Sequence, residues 1–154
     1  MIFLNHKAKD VDSVGNNYKN QAKVLLSQSD HTFVLCGPDV TIADNRRGVR
    51  PLLDLWEQHI DVSSCAAADK VVGKGAAYLY LLLNIRCLYA QVISQPALAV
   101  LTEANIPVEF DLLVPAIQNR AKNGFCPIET AVWSIQDPTE ALSAIYKTIE
   151  ALNK

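Results

Sequence analysis

The chain has 154 residues, of which half are hydrophobic and 19% are charged, with a formal net charge of −2. That length supports one core burying roughly 68–70% of the unfolded surface, and the balance excludes a disordered or fibrous chain. It also excludes a general attraction to nucleic acid or anionic membrane, so any basic site must be local.

Met1 to Asn17 lacks apolar periodicity and contains Gly15-Asn16-Asn17, which predicts a flexible arm over residues 1–17 followed by one domain over 18–154. The opening decapeptide turns polar after four apolar residues, too short for a secretory signal core, and the expected compartment is the cytoplasm. Cys36, Cys65, Cys87 and Cys126 show no short repeat spacing, as expected of reduced thiols in a chain large enough to need no disulfide.

Tyr18 to Ser27 carries an apolar stripe (Tyr18, Ala22, Leu25, Leu26) and reads as the first helix. Thr32–Cys36 and Val40–Ala43 are β-type runs joined by Gly37-Pro38-Asp39, a hairpin. Arg46, Arg47 and Arg50 precede or flank Pro51, whose fixed φ suits the first turn of a helix through His59. Guanidinium groups match phosphate and carboxylate geometry, so this loop, through Arg47, is a candidate anion contact; the alternative is a solvated basic turn.

Ala67 to Leu83 (AADKVVGKGAAYLYLLL) reads as a buried central helix with Asp69 at its N-cap and apolar residues on almost every face. Lys70 and Lys74 would then share a face at the positive end of the helix dipole, at a cost of about 0.3–1 kcal/mol each. An anion over the first turn would relieve that cost, with Gly73 and Gly75 allowing close backbone approach; a pair of lysines reaching water is the alternative. The segment is not a phosphate-binding Walker loop, because Gly75 stands where Ser or Thr belongs and Ala68 where the first glycine belongs.

Cys87–Ile93 is a mostly apolar strand, Ser94 is placed to cap a helix through Ala104, and Pro107–Phe110 is a further strand. Strand, helix, strand implies a parallel pair with a right-handed crossover. Asp111 to Lys122 reads as a loop and a short helix containing Pro115. In Phe125-Cys126-Pro127-Ile128-Glu129 the proline sets a helix start with Cys126 at the N-cap, and Asp137-Pro138-Thr139-Glu140 opens a C-terminal amphipathic helix. The order predicts a three-layer α/β domain with a mixed sheet.

The blocks Arg47–Leu52, Ala68–Lys74, Val92–Leu98 and Asn119–Glu129 together resemble an uncharacterised bacterial family, a domain of unknown function with a cytidine deaminase-like fold, over about Thr32 to Asp137. What the resemblance implies is that fold. Deaminase chemistry needs zinc ligands and a glutamate written H-x-E and P-C-x-x-C at two helix starts. Here Ala68-Asp69-Lys70 and Ser94-Gln95-Pro96-Ala97-Leu98 stand at the two starts, so no metal and no cofactor is expected.

The resemblance aims the starts of the Asp69 and Ser94 helices at one cleft, where ligands of open α/β sheets bind. With the loop carrying Arg120, Asn123 and Cys126 folded over it, that cleft would hold Arg47, Asp69, Lys70, Gly73, Lys74, Ser94 and Glu129. This set suits a small anionic ligand, phosphorylated or nucleotide-like. Two other classes stand beside it. Cys126 could serve as the nucleophile of a cysteine-dependent enzyme, its thiol lowered by the helix start, although no histidine base is near in sequence. Alternatively the chain is an interaction protein acting as a homo-oligomer, a dimer being the expected state.

Overall fold

The computed structural model describes residues 13–28 and 30–153. Residues 1–12 of the expected arm lie outside the described residues, while 13–17 form the first turns of helix α1 (Ser13–Ser27), five residues earlier than the apolar stripe suggested. A hairpin follows, β1 (Phe33–Gly37) and β2 (Val40–Asp44), paired antiparallel with Gly37 opposite Val40. Its turn is Pro38-Asp39, with Asp39 in the left-handed region at φ 57°.

Helix α2 (Arg50–Glu57) carries Pro51 in its first turn, one residue after its start, and ends two residues before the expected His59. Two β-α steps and a final strand then build the rest of the sheet: β3 (Ala66–Val72), α3 (Lys74–Leu83), β4 (Cys87–Ser94), α4 (Gln95–Glu103) and β5 (Val108–Val114). Two helices close the chain, α5 (Pro127–Val132) and α6 (Pro138–Leu152). The sheet runs β2-β1-β3-β4-β5, with β3, β4 and β5 parallel and β1 antiparallel to both its neighbours. It is a mixed α/β sheet, as the element order predicted.

The central helix foreseen over Ala67–Leu83 is two elements. Ala66–Val72 pairs with β1 on one side and β4 on the other, and the helix begins only at Lys74, with Gly73 as N-cap. Alanines are strong helix formers, so Ala66-Ala67-Ala68 carries no local strand signal. Tertiary pairing decides it, because a strand here completes the ladder between β1 and β4. Asp69 is therefore a mid-strand residue and not a cap, and Lys70 and Lys74 do not share a helix face. Helix α3 is nonetheless covered nearly all round, with Ala77, Leu79 and Tyr80 at 1% exposure or less.

The helix placed around Pro115 is also absent: β5 continues to Val114 and residues 115–126 form an irregular loop tied by a single bridge, Gln118 to Phe125. The large core lies on the α3 side of the sheet, joining Phe33, Leu53, Leu79, Tyr80, Leu88, Ile93, Val132 and Ile145. The other face holds a smaller cluster in which α1 covers Val34, Cys36, Ala68 and Tyr89 through Ala22 and Leu26.

Candidate functional site

The starts of α3 and α4 do adjoin, at the carboxyl ends of β3 and β4. What lies between them is a carboxylate of the protein. Glu129, 2% exposed, accepts the backbone N–H of Lys74 at 2.7 Å and the hydroxyl of Ser94 at 2.6 Å on Oε2, and the backbone N–H of Ile117 at 2.7 Å on Oε1. Ser94 Oγ in turn caps α4 by accepting from Ala97 N at 3.3 Å. An anion at a helix start is favoured by the dipole and by unpaired N–H groups, and here Glu129 is that anion. Gly73 makes the approach feasible: a Cβ there would stand 3.1 Å from Glu129 Oε2 and 3.2 Å from Ile117 Cγ1.

Lys74 is nearly buried at 9% exposure. Its ammonium donates to the carbonyl of Trp133 at 2.7 Å and lies 5.8 Å from the ring centre of Tyr78. Burial lowers its pKa, and the nearby Glu129 charge works the other way. Lys70 projects from the strand and is half-buried, its N–H donating to Thr32 O at 3.0 Å.

Asp69 takes a role that its sequence neighbours do not suggest. Its Oδ2 accepts the hydroxyl of the fully buried Tyr80 at 2.6 Å and its Oδ1 faces Val71 N at 3.3 Å. Burial pushes its pKa up to about 7, against those hydrogen bonds. In the arginine loop, Arg46 pairs with Asp44 and Asp54, and Arg50 with Asp54 and Glu57. Arg47 is exposed beside them.

The loop after β5 folds over the Glu129 junction and then leaves it as a self-braced hairpin. Asn119 receives Asn123 N on its carbonyl oxygen at 3.1 Å, donates its amide to Asn123 Oδ1 at 2.9 Å, and its own N–H reaches Gly124 O at 2.9 Å. Lys122 sits at the turn with φ 57°. Arg120, Lys122 and Asn123 are exposed, and Phe125 is 70% exposed.

Cys126 is half-buried at the N-cap of α5 with no side-chain capping bond. Among the described residues no group of three or more His, Cys, Asp or Glu is arranged to hold a metal ion, and no helix is long and apolar enough to cross a membrane.

Residues 21–149 match the model of a family described as a domain of unknown function, DUF1893. The chain belongs to the DUF1893 family. A crystal structure of a DUF1893 family protein from Thermotoga maritima is similar to it, with a TM-score of 0.80 and 24% identity over 89% of this chain and 91% of that one. At that identity the likeness concerns the fold. No curated protein is similar to the chain, and the DUF1893 family has no assigned function.

Sequence reasoning thus located the residues that meet at the helix starts, Gly73, Lys74, Ser94 and Glu129, but not their relation. It missed Ile117 N–H, the Trp133 carbonyl, Tyr80 as partner of Asp69, and exposed Phe125. A backbone donor leaves no mark in a sequence; an aromatic between two turn-forming segments, as in Asn123-Gly124-Phe125, is the one signal that was available.

Proposed function

We propose that this DUF1893 domain is a zinc-free, deaminase-like scaffold in the cytoplasm that binds a small nucleotide-like anion, and that the contact is made by the 118–125 hairpin and not by the start of α3. Glu129 already fills the seat at α3, so a ligand anion there would have to displace a carboxylate with three donors.

The observation that carries the reading is the hairpin tip. Leu112 to Ile128 contains no acidic residue in a chain of net charge −2, and that stretch presents Arg120, Lys122 and the 70%-exposed Phe125 on a braced turn. An exposed aromatic ring and a guanidinium carried on one braced turn suit a flat ring carrying phosphate: the ring stacks, the fork of Arg120 takes the phosphate oxygens, and Lys122 adds charge. A turn already held by Asn119 loses little freedom on binding.

Thermal shift of the full chain against nucleosides, nucleoside mono- and diphosphates, ribose phosphate and inorganic phosphate tests this, with Phe125→Ala and Arg120→Ala alongside. A nucleotide at 100 times its Kd is expected to add about 2.7 kcal/mol. Phe125→Ala should reduce the response to that of ribose phosphate, and Arg120→Ala should reduce it to that of a nucleoside. No nucleotide response in the wild type, or an equal response in both variants, overturns the reading.

A further inference from the structure

We infer that the sheet face just past the end of α1 binds a small zwitterion, a molecule with a carboxylate at one end and an ammonium at the other, through Lys70, Gln91 and Asp111. The site stands on a break in the sheet. Strands β3 and β4 pair from Asp69↔Ala90 directly to Val71↔Val92, and β4 and β5 from Ala90↔Phe110 to Val92↔Leu112. Lys70, Gln91 and Asp111 are thus left out of the ladder at one level of three adjacent strands. The phase of the side chains changes there as well, since Ala90 and Ile93, three residues apart, both enter the large core. In an unbroken strand residues an odd number apart face opposite sides. Irregularities of the bulge type re-aim side chains and are over-represented beside active sites.

All three side chains lie on the α1 side of the sheet. Gln91 lines a cavity of about 260 Å³ with Lys23, Leu26, Ser27 and Tyr89, at the last turns of that helix. Asp111 accepts the hydroxyl of Tyr89, which belongs to the small cluster under α1. Lys70 follows Asp69, whose carboxyl meets Tyr80 in the opposite layer, and has the parity of Ala68, a member of that same small cluster. The cations of α1 are already engaged here. Lys23 is bound to Glu109 and lies 4.6 Å from the centre of the Tyr89 ring, and Lys19 holds the other oxygen of Glu109 at 3.0 Å. By contrast, among the described residues the Lys70 ammonium and the Gln91 amide have no hydrogen-bond partner, and Asp111 has the Tyr89 hydroxyl but no cation.

Across the row the groups therefore run positive, neutral and negative, each with bonding capacity left over. Neighbouring strands lie about 4.8 Å apart, so Lys70 and Asp111 are rooted about 10 Å from each other with Gln91 midway. A lone anion at this row meets Asp111 as a like charge, and a lone cation meets Lys70. A molecule carrying both charges satisfies both ends, and the Gln91 amide, which donates and accepts, serves the groups between them. The separation of the two poles favours charges several bonds apart, as in an ω-amino acid, over the adjacent charges of an α-amino acid. Lys23 and Glu109 brace Tyr89 and Asp111 from below, so the negative end is held in place before anything binds.

Isothermal titration of the full chain with glycine, γ-aminobutyrate and ε-aminocaproate, each beside its N-acetyl and its carboxamide form, tests the assignment. One of the two longer zwitterions should bind about tenfold or more tightly than glycine and than either of its own blocked forms. Lys70→Gln should erase the preference for the carboxylate over the carboxamide, and Asp111→Asn, which keeps an acceptor for the Tyr89 hydroxyl, should erase the preference for the ammonium over its N-acetyl form. Each variant should retain the other preference. Phe125→Ala should leave this binding unchanged, which separates the site from the 118–125 hairpin. No binding to the wild type, equal binding of free and blocked forms, or a response lost in Phe125→Ala overturns the inference.

Discussion

The Oε2 of Glu129 lies 2.7 Å from the backbone nitrogen of Lys74, 55 residues earlier, so the carboxylate of one helix serves as the capping anion of another. The same side chain holds Ser94 and Ile117. It fixes the starts of α3 and α4 and the loop after β5 to one point, and it supplies the negative charge that the dipole of α3 favours.

Removing that carboxylate should therefore cost more than one hydrogen bond. Glu129→Ala leaves the buried donors of Lys74 and Ser94 and the part-buried N–H of Ile117 without this partner, at about 1–3 kcal/mol for each group that water cannot reach. We expect a loss of at least 3 kcal/mol in urea unfolding, with Ser94→Ala alone costing about 1 kcal/mol. Because Ser94 donates to Glu129, the double variant should cost less than the sum of the two. Additive losses would show that the junction is not a connected unit.

The Asp69–Tyr80 pair should make stability depend on pH. In the unfolded chain Asp69 titrates near 3.8, and burial raises it to about 7 in the fold. The folded state holds the proton more tightly, so this contribution is complete below the unfolded value and is lost as pH rises through about 7. Asp69→Asn keeps an oxygen for the Tyr80 hydroxyl and carries no charge. We expect the wild-type Tm to fall relative to the Asn variant between pH 5 and pH 8, by about 2–4 °C for each kcal/mol lost. Taking the difference between the two proteins cancels the acid-side loss from Asp44 and Asp54, whose pKa values are lowered by Arg46 in both. A constant difference across that range would mean that Asp69 stays ionised.

Legibility followed the locality of the signal. Ser94 and Cys126 were legible as caps, and Asp137-Pro138-Thr139-Glu140 as a helix start, because such signals are set by a few neighbouring residues. The hairpin at Pro38-Asp39 and the parallel β4-α4-β5 unit were legible for the same reason. Strand β3 was not, since Ala66-Ala67-Ala68 is as good a helix as a strand and only pairing to β1 and β4 decides. The site shows the same division. Lysine and glycine at a helix start led to the expectation of a ligand anion, whereas the group that meets the start of α3 is Glu129 of the chain itself, which proximity in sequence does not reveal.

Gly75, in the first turn of α3, is held by contact and not by backbone conformation. A Cβ there would stand 2.5 Å from Ile128 Cγ2 on α5 and 3.6 Å from Ile145 Cδ1 on α6. Alanine is the better helix former by about 1 kcal/mol, yet overpacking costs about 1–3 kcal/mol. Gly75→Ala should thus be neutral to destabilising in the wild type and stabilising once Ile128→Ala has opened the contact. The coupling from a double-mutant cycle should exceed about 0.5 kcal/mol; no coupling would place the steric limit elsewhere.

The four thiols should report separately on the two layers. Cys126 is half-buried, whereas Cys36, Cys65 and Cys87 are buried, and burial raises the pKa of Cys36 and Cys65. One thiol per chain should react with Ellman's reagent in the folded protein, and Cys126→Ser should abolish that phase. The slower thiols divide by face: Cys36 lies in the small cluster under α1, and Cys87 touches the Gly15 carbonyl of the same helix, while Cys65 belongs to the large core. A single helix over a small cluster opens at lower free energy than the main core. Cys36 and Cys87 should therefore be labelled before Cys65, at a rate insensitive to Glu129→Ala, while Cys65 labelling should accelerate in that variant. Equal rates for all three would show that α1 and the α3 layer open together.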